Sequence, residues 1–249
     1  MIDFWQQGRS TLLIAPTGAG KTLSGFLPSL IDSNGAKRDG IHTLYISPLK
    51  ALAVDIARNL EAPIAEMGLD ITVDTRTGDT PQSRRARIRS HPPHILLTTP
   101  ESLELMLSWP NAAALFGTVK TIIIDEIHTV LGSKRGDLLS LSLATLRTLA
   151  PASQSIGLSA TIADPQQLTP LLSAQPDEVV IFVPPLEKVI ELSVMTTDDD
   201  SLPWAGHSAL YAMPRIYDLL RQHKTTLVFV NTRAQAETVF QALWHLNDD

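Results

Sequence analysis

Two stretches of this 249-residue sequence have the residue types and spacing to handle a nucleoside triphosphate. The first is Ala15-Pro16-Thr17-Gly18-Ala19-Gly20-Lys21-Thr22. It follows a strand-like run and precedes a helical pattern, the context a phosphate-binding loop requires. Gly18 and Gly20 let backbone N–H groups turn inward around phosphate oxygens, and amides at the helix start add partial positive charge. Lys21 can reach the β- and γ-phosphates, and the Thr22 hydroxyl can coordinate Mg²⁺. Ala15 occupies a position where the general pattern has Gly, at the strand end rather than in the cradle. The second stretch, Thr121-Ile122-Ile123-Ile124-Asp125-Glu126-Ile127-His128, is an apolar strand ending in two carboxylates and a histidine. Ligands of open α/β sheets bind at the carboxyl ends of strands. Asp125 is therefore the candidate to hold the Mg²⁺ of ATP, and Glu126 the candidate to polarise the attacking water. Taken alone, two adjacent acids also fit a helix N-terminus, and His128 fits a surface or core histidine.

These residues need a scaffold, and the pattern of the chain supplies one. Strand-like runs occur at Thr11–Ala15, Thr43–Ser47, Ile71–Thr75, His94–Thr98, Thr121–Asp125, Ser155–Ser159 and Val179–Val183. They lack strict apolar–polar alternation, as expected of strands buried on both faces. Helical patterns lie between them. The clearest carries Leu49, Leu52, Ala53, Ile56, Leu60, Ile64 and Met67 on one face, with Gly68 as a stop. Alternating β and α predicts an α/β domain with a parallel sheet covered by helices on both faces. Pro184-Pro185 marks a boundary, giving a first domain at 1–185 and a shorter second unit at 186–249. The second unit contains a strand-like run at Val189–Val194, an acidic loop at Asp198–Asp200, a loop around Pro203–Gly206, a strand at Thr226–Val230 and a helix from Arg233 to Leu246.

Composition narrows the class. There is no cysteine, which excludes disulfides and cysteine-based zinc sites and agrees with a reducing cytoplasm. No apolar run approaches the roughly 20 residues that span a bilayer, so no membrane partner is expected. The net charge of −6 is unlike that of a nucleic-acid binder, yet it is unevenly spread. Residues 1–150 hold 15 Lys and Arg against 14 Asp and Glu, whereas residues 151–249 hold 5 against 12. Arg76, Arg84, Arg85, Arg87 and Arg89 form a basic cluster, equally readable as a solvated helix face.

The two motifs, with others in order, resemble superfamily 2 helicases of the DExH type. Ser47-Pro-Leu-Lys-Ala-Leu52 resembles motif Ia, Thr77-Gly-Asp79 the small motif after it, and Thr98-Thr-Pro-Glu-Ser-Leu103 motif Ib. Asp125–His128 is similar to the DExH box, Ser159-Ala-Thr161 to motif III, and Val228–Arg233 to motif IV. Within the superfamily the likeness is to the large helicase-related (Lhr) group, more narrowly its short bacterial form associated with DNA ligase. Thr75–Arg85, Gly132–Gly136 and Pro203–His207 carry that likeness.

The resemblance implies a RecA-like phosphate-loop domain followed by the start of a second one. It implies ATP and Mg²⁺ as cofactors and single-stranded DNA as the track, with RNA as an alternative, and association with DNA ligase or nuclease repair proteins. It assigns His128, Ser159 and Thr161 to coupling between nucleotide and strand. Lys50, Thr77, Gly78, Thr99, Pro100, Glu101, Asn231, Thr232 and Arg233 would contact nucleic acid. Read from the residues alone, several of these fit turn and cap chemistry equally well: Thr99-Pro100 and Gly78-Asp79 as turns, Ser159–Thr161 as a helix cap, Asn231–Arg233 as a helix start. Two departures from the family pattern bear on activity. Only Met1–Ser10 precede the first strand, leaving Gln6 and Gln7 too close to it to substitute for the family's adenine-reading glutamine. No arginine follows Arg233 to act as an arginine finger. The expectation is a DNA translocase or helicase fragment that binds ATP–Mg²⁺ and hydrolyses it slowly. A nucleotide-binding module without turnover and a phosphate-loop ATPase acting on protein are the alternatives, and motifs Ia and Ib argue against the latter.

Overall fold

A computed structural model describes residues 1–16, 18–32, 40–160, 162–185, 191–195 and 210–247. Thr17, Thr161, Asp198–Asp200, Pro203–His207 and the first two residues of the expected strand at 189–194 lie outside the described residues. The chain divides into two compact units, Met1–Pro185 and Leu186–Asp249.

In the first unit the apolar runs become strands β1 (Thr11–Ile14), β2 (Thr43–Ile46), β3 (Val73–Arg76), β4 (Ile95–Thr98), β5 (Thr121–Ile124), β6 (Gln154–Ser159) and β7 (Val180–Phe182). They form one seven-stranded sheet in the order β3-β4-β2-β5-β6-β1-β7, and every pairing is parallel. The largest offset from the expected boundaries is at β3. There the Thr72 carbonyl accepts from the Ile95 amide at 3.0 Å, but its N–H donates to the His94 side chain, Nδ1 at 3.0 Å, and the strand starts at Val73.

The connecting segments are α1 (Ile2–Gln6), α2 (Lys21–Asp32), α3 (Lys50–Glu66), α4 (Gln82–Ser90), α5 (Pro100–Leu107), α6 (Ala112–Phe116), α7 (Lys134–Leu149) and α8 (Thr169–Leu172). Successive strand residues point to opposite faces, so the sheet builds two cores. One gathers Leu12, Ile14, Leu44, Ile46, Leu96, Ile122 and Ile124 with apolar residues of α4 to α8. The other gathers Leu13, Tyr45, Ile95, Leu97, Ile123, Ile156 and Leu158 with residues of α2 and α3. The expected face of α3 is buried through Ala53, Ile56, Leu60 and Ile64, whereas Leu49 and Met67 at its ends are exposed.

In the second unit, α9 (Met213–Gln222) and α10 (Arg233–Leu246) are joined by the Tyr217 hydroxyl donating to Asn247 Oδ1 at 2.9 Å. The strand expected at Thr226–Val230 is not formed. Its residues have strand propensity but no ladder partner among the described residues, and Leu227 and Phe229 are 77% and 88% exposed. A strand exists only through its neighbours, so propensity alone does not make one here. Residues 191–195 are likewise irregular and exposed.

Candidate functional site

In the first unit, parallel strands bring the motifs to one edge of the sheet, because each of these motifs follows the carboxyl end of its strand. The phosphate loop follows β1, Ser47 follows β2, Thr77 follows β3, Thr99 follows β4, Asp125 follows β5, and Ser159 closes β6. Gly18, Gly20, Lys21, Thr22, Leu23, Leu52, Asp125 and Glu126 line one cleft of about 370 Å³. Gly18 and Gly20 have φ of 80° and 74°, with open space where a Cβ would sit. They are therefore required by backbone conformation rather than by crowding. Lys21 is 7% exposed, and its ammonium donates to the Ala15 carbonyl at 2.7 Å, which folds the loop back over the strand end.

Asp125, which lines the same cleft, is buried. Its Oδ1 accepts from the Glu126 amide at 2.9 Å, and its Oδ2 accepts from the Tyr45 hydroxyl. Tyr45 stacks on Phe26 with ring centroids 5.3 Å apart. Burial, then the charge of Asp125 and the bond to it, push the Tyr45 hydroxyl far above its ordinary value, so it remains a donor. The sequence reading missed Tyr45. Its signal was a lone phenol in an apolar strand immediately before the Ser47 motif.

Glu126 has φ 46° and ψ 40°, the one non-glycine positive φ among the described residues. A left-handed residue with a Cβ costs about 1–2 kcal/mol, and such strain collects at functional sites. The turn lifts the Glu126 carboxylate beside His128, with Oε2 3.5 Å from Nδ1. The same Nδ1 is 3.1 Å from the Oγ of buried Ser159. His128 therefore joins the end of β6 to the acidic turn after β5. Two of the three residues expected to couple nucleotide to strand are thus in contact, and the third, Thr161, lies outside the described residues.

The candidate track residues are arranged differently from one another. Lys50 starts α3 and pairs with Asp79 at 2.9 and 3.1 Å, joining the motif after β2 to the loop after β3. Thr77 is buried, and its amide donates to Thr80 Oγ1 at 2.8 Å. Thr99 and Pro100 are buried, and the Thr99 hydroxyl donates to Ser102. The side chains of Thr77, Thr99 and Pro100 therefore shape the edge from within. Glu101 grips Arg135 through two hydrogen bonds, one of 3.1 Å. Those bonds hold its carboxyl below the ordinary range despite partial burial. Arg135 is carried on the first turn of α7, where a Cβ on Gly136 would lie 2.1 Å from the Val130 carbonyl oxygen. In the second unit, Thr232 Oγ1 accepts from Gln235 N–H at 3.2 Å, and Gln235 Oε1 accepts from Asn231 N–H at 3.1 Å. This is the helix start that Asn231–Arg233 also fitted, in a reciprocal capping arrangement.

With this geometry established, the family model described as DEAD/DEAH box helicase matches residues 1–168. The chain belongs to the DEAD/DEAH box helicase family. Among characterised relatives of this helicase chain, the Lhr helicase/probable uracil glycosylase of Mycolicibacterium smegmatis is 40% identical over 97% of the chain and 17% of that protein. The ATP-dependent helicase Lhr-Core of Methanothermobacter thermautotrophicus is 37% identical over 94% of the chain and 29% of that protein. The solved structure of Mycobacterium smegmatis helicase Lhr bound to ssDNA and AMP-PNP superposes with a TM-score of 0.77 at 39% identity. It covers 98% of this chain and 33% of the other. The chain thus spans a third or less of the length of these relatives. The seven-stranded parallel α/β sheet is that of the RecA-like domain of such helicases. Among the described residues no helix is long and apolar enough to cross a membrane.

Proposed function

We propose that this chain is the nucleotide-binding portion of an ATP-dependent DNA helicase that couples ATP hydrolysis to movement on single-stranded DNA. The observation that carries the reading is the shared cleft. Lys21 and Thr22 share its lining with Asp125 and Glu126, at the sheet edge where Lys50 and Glu101 also lie. Residues 1–185 form the first RecA-like domain, and residues 186–249 the linker and opening part of a second. Single-stranded DNA is preferred to RNA because the similar Lhr structure is described with ssDNA, and the helicase MrfA, 26% identical, with DNA. Association with ligase or nuclease repair proteins rests on the likeness carried by Thr75–Arg85 and Gly132–Gly136. A cytoplasmic location agrees with the absence of cysteine.

Each residue's role follows from its position. The amides of residues 18–22 and the Lys21 ammonium hold the β- and γ-phosphates. Thr22 and Asp125 suit Mg²⁺, which takes one or two protein oxygens and completes its shell with phosphate and water. The buried Asp125 carboxylate, oriented by two donors on the cleft wall, fits that demand. When bound, Mg²⁺ would neutralise charge on the phosphates. Glu126 accepts a proton from the attacking water, and His128 with Ser159 transmits the state of that turn toward the track.

The experiment is a titration of a fluorescent ATP analogue with Mg²⁺, with and without a single-stranded DNA oligonucleotide. Saturable binding that Lys21→Ala abolishes in a folded protein, and that the oligonucleotide tightens, is the expected result. Unchanged affinity in Lys21→Ala overturns the phosphate-loop assignment, and indifference to DNA overturns the motor reading.

A further inference from the structure

Away from the nucleotide cleft, a second cavity of about 620 Å³ lies between α4 and the segment joining α5 to α6. Its lining includes Arg76, Gln82, Arg85, Arg89, Trp109 and Asn111, and no carboxylate. Arg76 is 4% exposed, and its Nε has no hydrogen-bond partner among the described residues. Its Nη1 makes only a weak 3.5 Å bond to the Thr77 carbonyl. A buried guanidinium without an anion is costly, and buried polar groups are normally satisfied.

The rest of α4 explains where the compensating charge is not. The helix reads Gln82-Ser-Arg-Arg-Ala-Arg-Ile-Arg-Ser90, with no acid. Arg84 and Arg87 turn to Asp74, the nearby strand carboxylate, and both bind it, Arg87 at 2.7 Å. Asp74 is therefore occupied. Gln82, Arg85 and Arg89, at i, i+3 and i+7, share the face that lines the cavity. Arg85 is locked by bonds to the Thr80 and Gly78 carbonyls at 2.7 and 2.6 Å. Arg89 lies over the Trp109 ring, 5.3 Å from its centroid. Asn111 precedes α6 without capping it, and its Oδ1 is also buried and unpaired among the described residues. Three guanidiniums thus converge on one cavity; the unpaired Asn111 Oδ1 is an acceptor and adds nothing to an anion site.

We propose that this cavity binds a phosphate group, and specifically a phosphodiester of the nucleic acid beyond the motif edge. The inference rests on the helicase reading for its source of phosphate. Arg85 supports the nucleic-acid source, because it reaches from the cavity to the Gly78 carbonyl and so joins the cavity to the Thr77–Asp79 loop. The free-anion alternative shares the same chemistry and is separated by experiment.

The test compares the chain with Arg89→Gln, Arg76→Gln and, as a control on α3 outside the cavity, Arg58→Gln. Arg89 is exposed, so its substitution leaves the fold intact. Arg76→Gln is checked by thermal unfolding, and Arg89→Gln alone decides if it does not fold. Affinity for a labelled single-stranded oligonucleotide is measured against salt. On a single strand the logarithmic slope falls by about 0.7 for each phosphate that the protein ceases to neutralise. A decrease of that order in Arg89→Gln and Arg76→Gln, with none in Arg58→Gln, supports the site. Unchanged slopes in both, with the unsubstituted chain binding normally, overturn the cavity and leave the helicase reading intact. Broadening of the inorganic phosphate resonance that Arg89→Gln abolishes, with oligonucleotide slopes unchanged, overturns the phosphodiester in favour of a free anion. No oligonucleotide binding by the unsubstituted chain overturns the helicase reading and this inference with it.

Discussion

The Tyr45 hydroxyl donates to the Asp125 carboxylate across adjacent strands, from a position 80 residues earlier in the chain. The register of β2 and β5 puts Tyr45 opposite Ile123, two residues before Asp125. Tyr45→Phe keeps the ring stack on Phe26 and removes one donor from a buried carboxylate. Loss of a partner to a buried acceptor costs about 1–3 kcal/mol, so denaturant unfolding at neutral pH should show a loss of that order. The pH dependence has a definite sign. The native hydroxyl titrates above the unfolded value near 10. The stability it contributes is therefore complete below about pH 10 and declines as pH rises past it. The gap between native and Tyr45→Phe proteins should be flat from neutrality to about pH 9 and narrow above 10. A constant gap through that range would contradict the placement of Tyr45.

The strained turn at Glu126 separates catalysis from stability. Glu126→Gln keeps the positive φ and removes the base, so nucleotide binding should persist while turnover is lost. Glu126→Gly also removes the base, but relieves about 1–2 kcal/mol of left-handed strain. Some of that gain is offset by the freer unfolded chain. Thermal unfolding should place Glu126→Gly level with the native protein or more stable by up to about 1 kcal/mol. A destabilised Glu126→Gly would show that the carboxylate, through its contact with His128, matters to the fold rather than to the reaction.

His128 touches Ser159 and approaches Glu126, so it should transmit more than it binds. His128→Ala is expected to bind the ATP analogue with near-native affinity and to lose most of the tightening that single-stranded DNA produces. Ser159→Ala, which removes the other end of the contact, should show the same loss. The double variant should be no worse than either single one, as for residues acting as one unit. Additive losses in the double variant would mean that the two residues act separately.

Much of the first unit was legible because its signals are local. Buried parallel strands announce themselves as apolar runs, and Gly18, Gly20 and Lys21 fall within four successive residues. The motifs of this unit also share one sheet edge by topology alone, since each follows a strand end. What escaped the sequence reading depends on strand order. Tyr45 meets Asp125 only because β2 lies beside β5, and Arg76 is orphaned only because Asp74 turns to Arg84 and Arg87. The strand expected at Thr226–Val230 was misread for the converse reason. Its propensity is local, but a strand's hydrogen bonds come from elsewhere.

Glu101 and Arg135 offer the sharpest test of how the track is tuned. Resemblance places Glu101 on the nucleic-acid path, yet a carboxylate repels phosphate, and in the structure it holds Arg135. Arg135 lowers the Glu101 carboxyl below its ordinary range, so the pair is intact above about pH 4.3 and fails as pH falls through the lowered value. Both side chains are substantially exposed, so the pair adds under about 1 kcal/mol to stability. Glu101→Gln should therefore unfold close to the native protein while releasing the positive charge of Arg135. Affinity for a single-stranded oligonucleotide should rise several-fold, with a steeper salt dependence. Arg135→Gln should move both quantities the other way. If Glu101→Gln instead weakens binding, Arg135 must be useful to the strand only while Glu101 holds its guanidinium in place, and orientation outweighs charge at this edge.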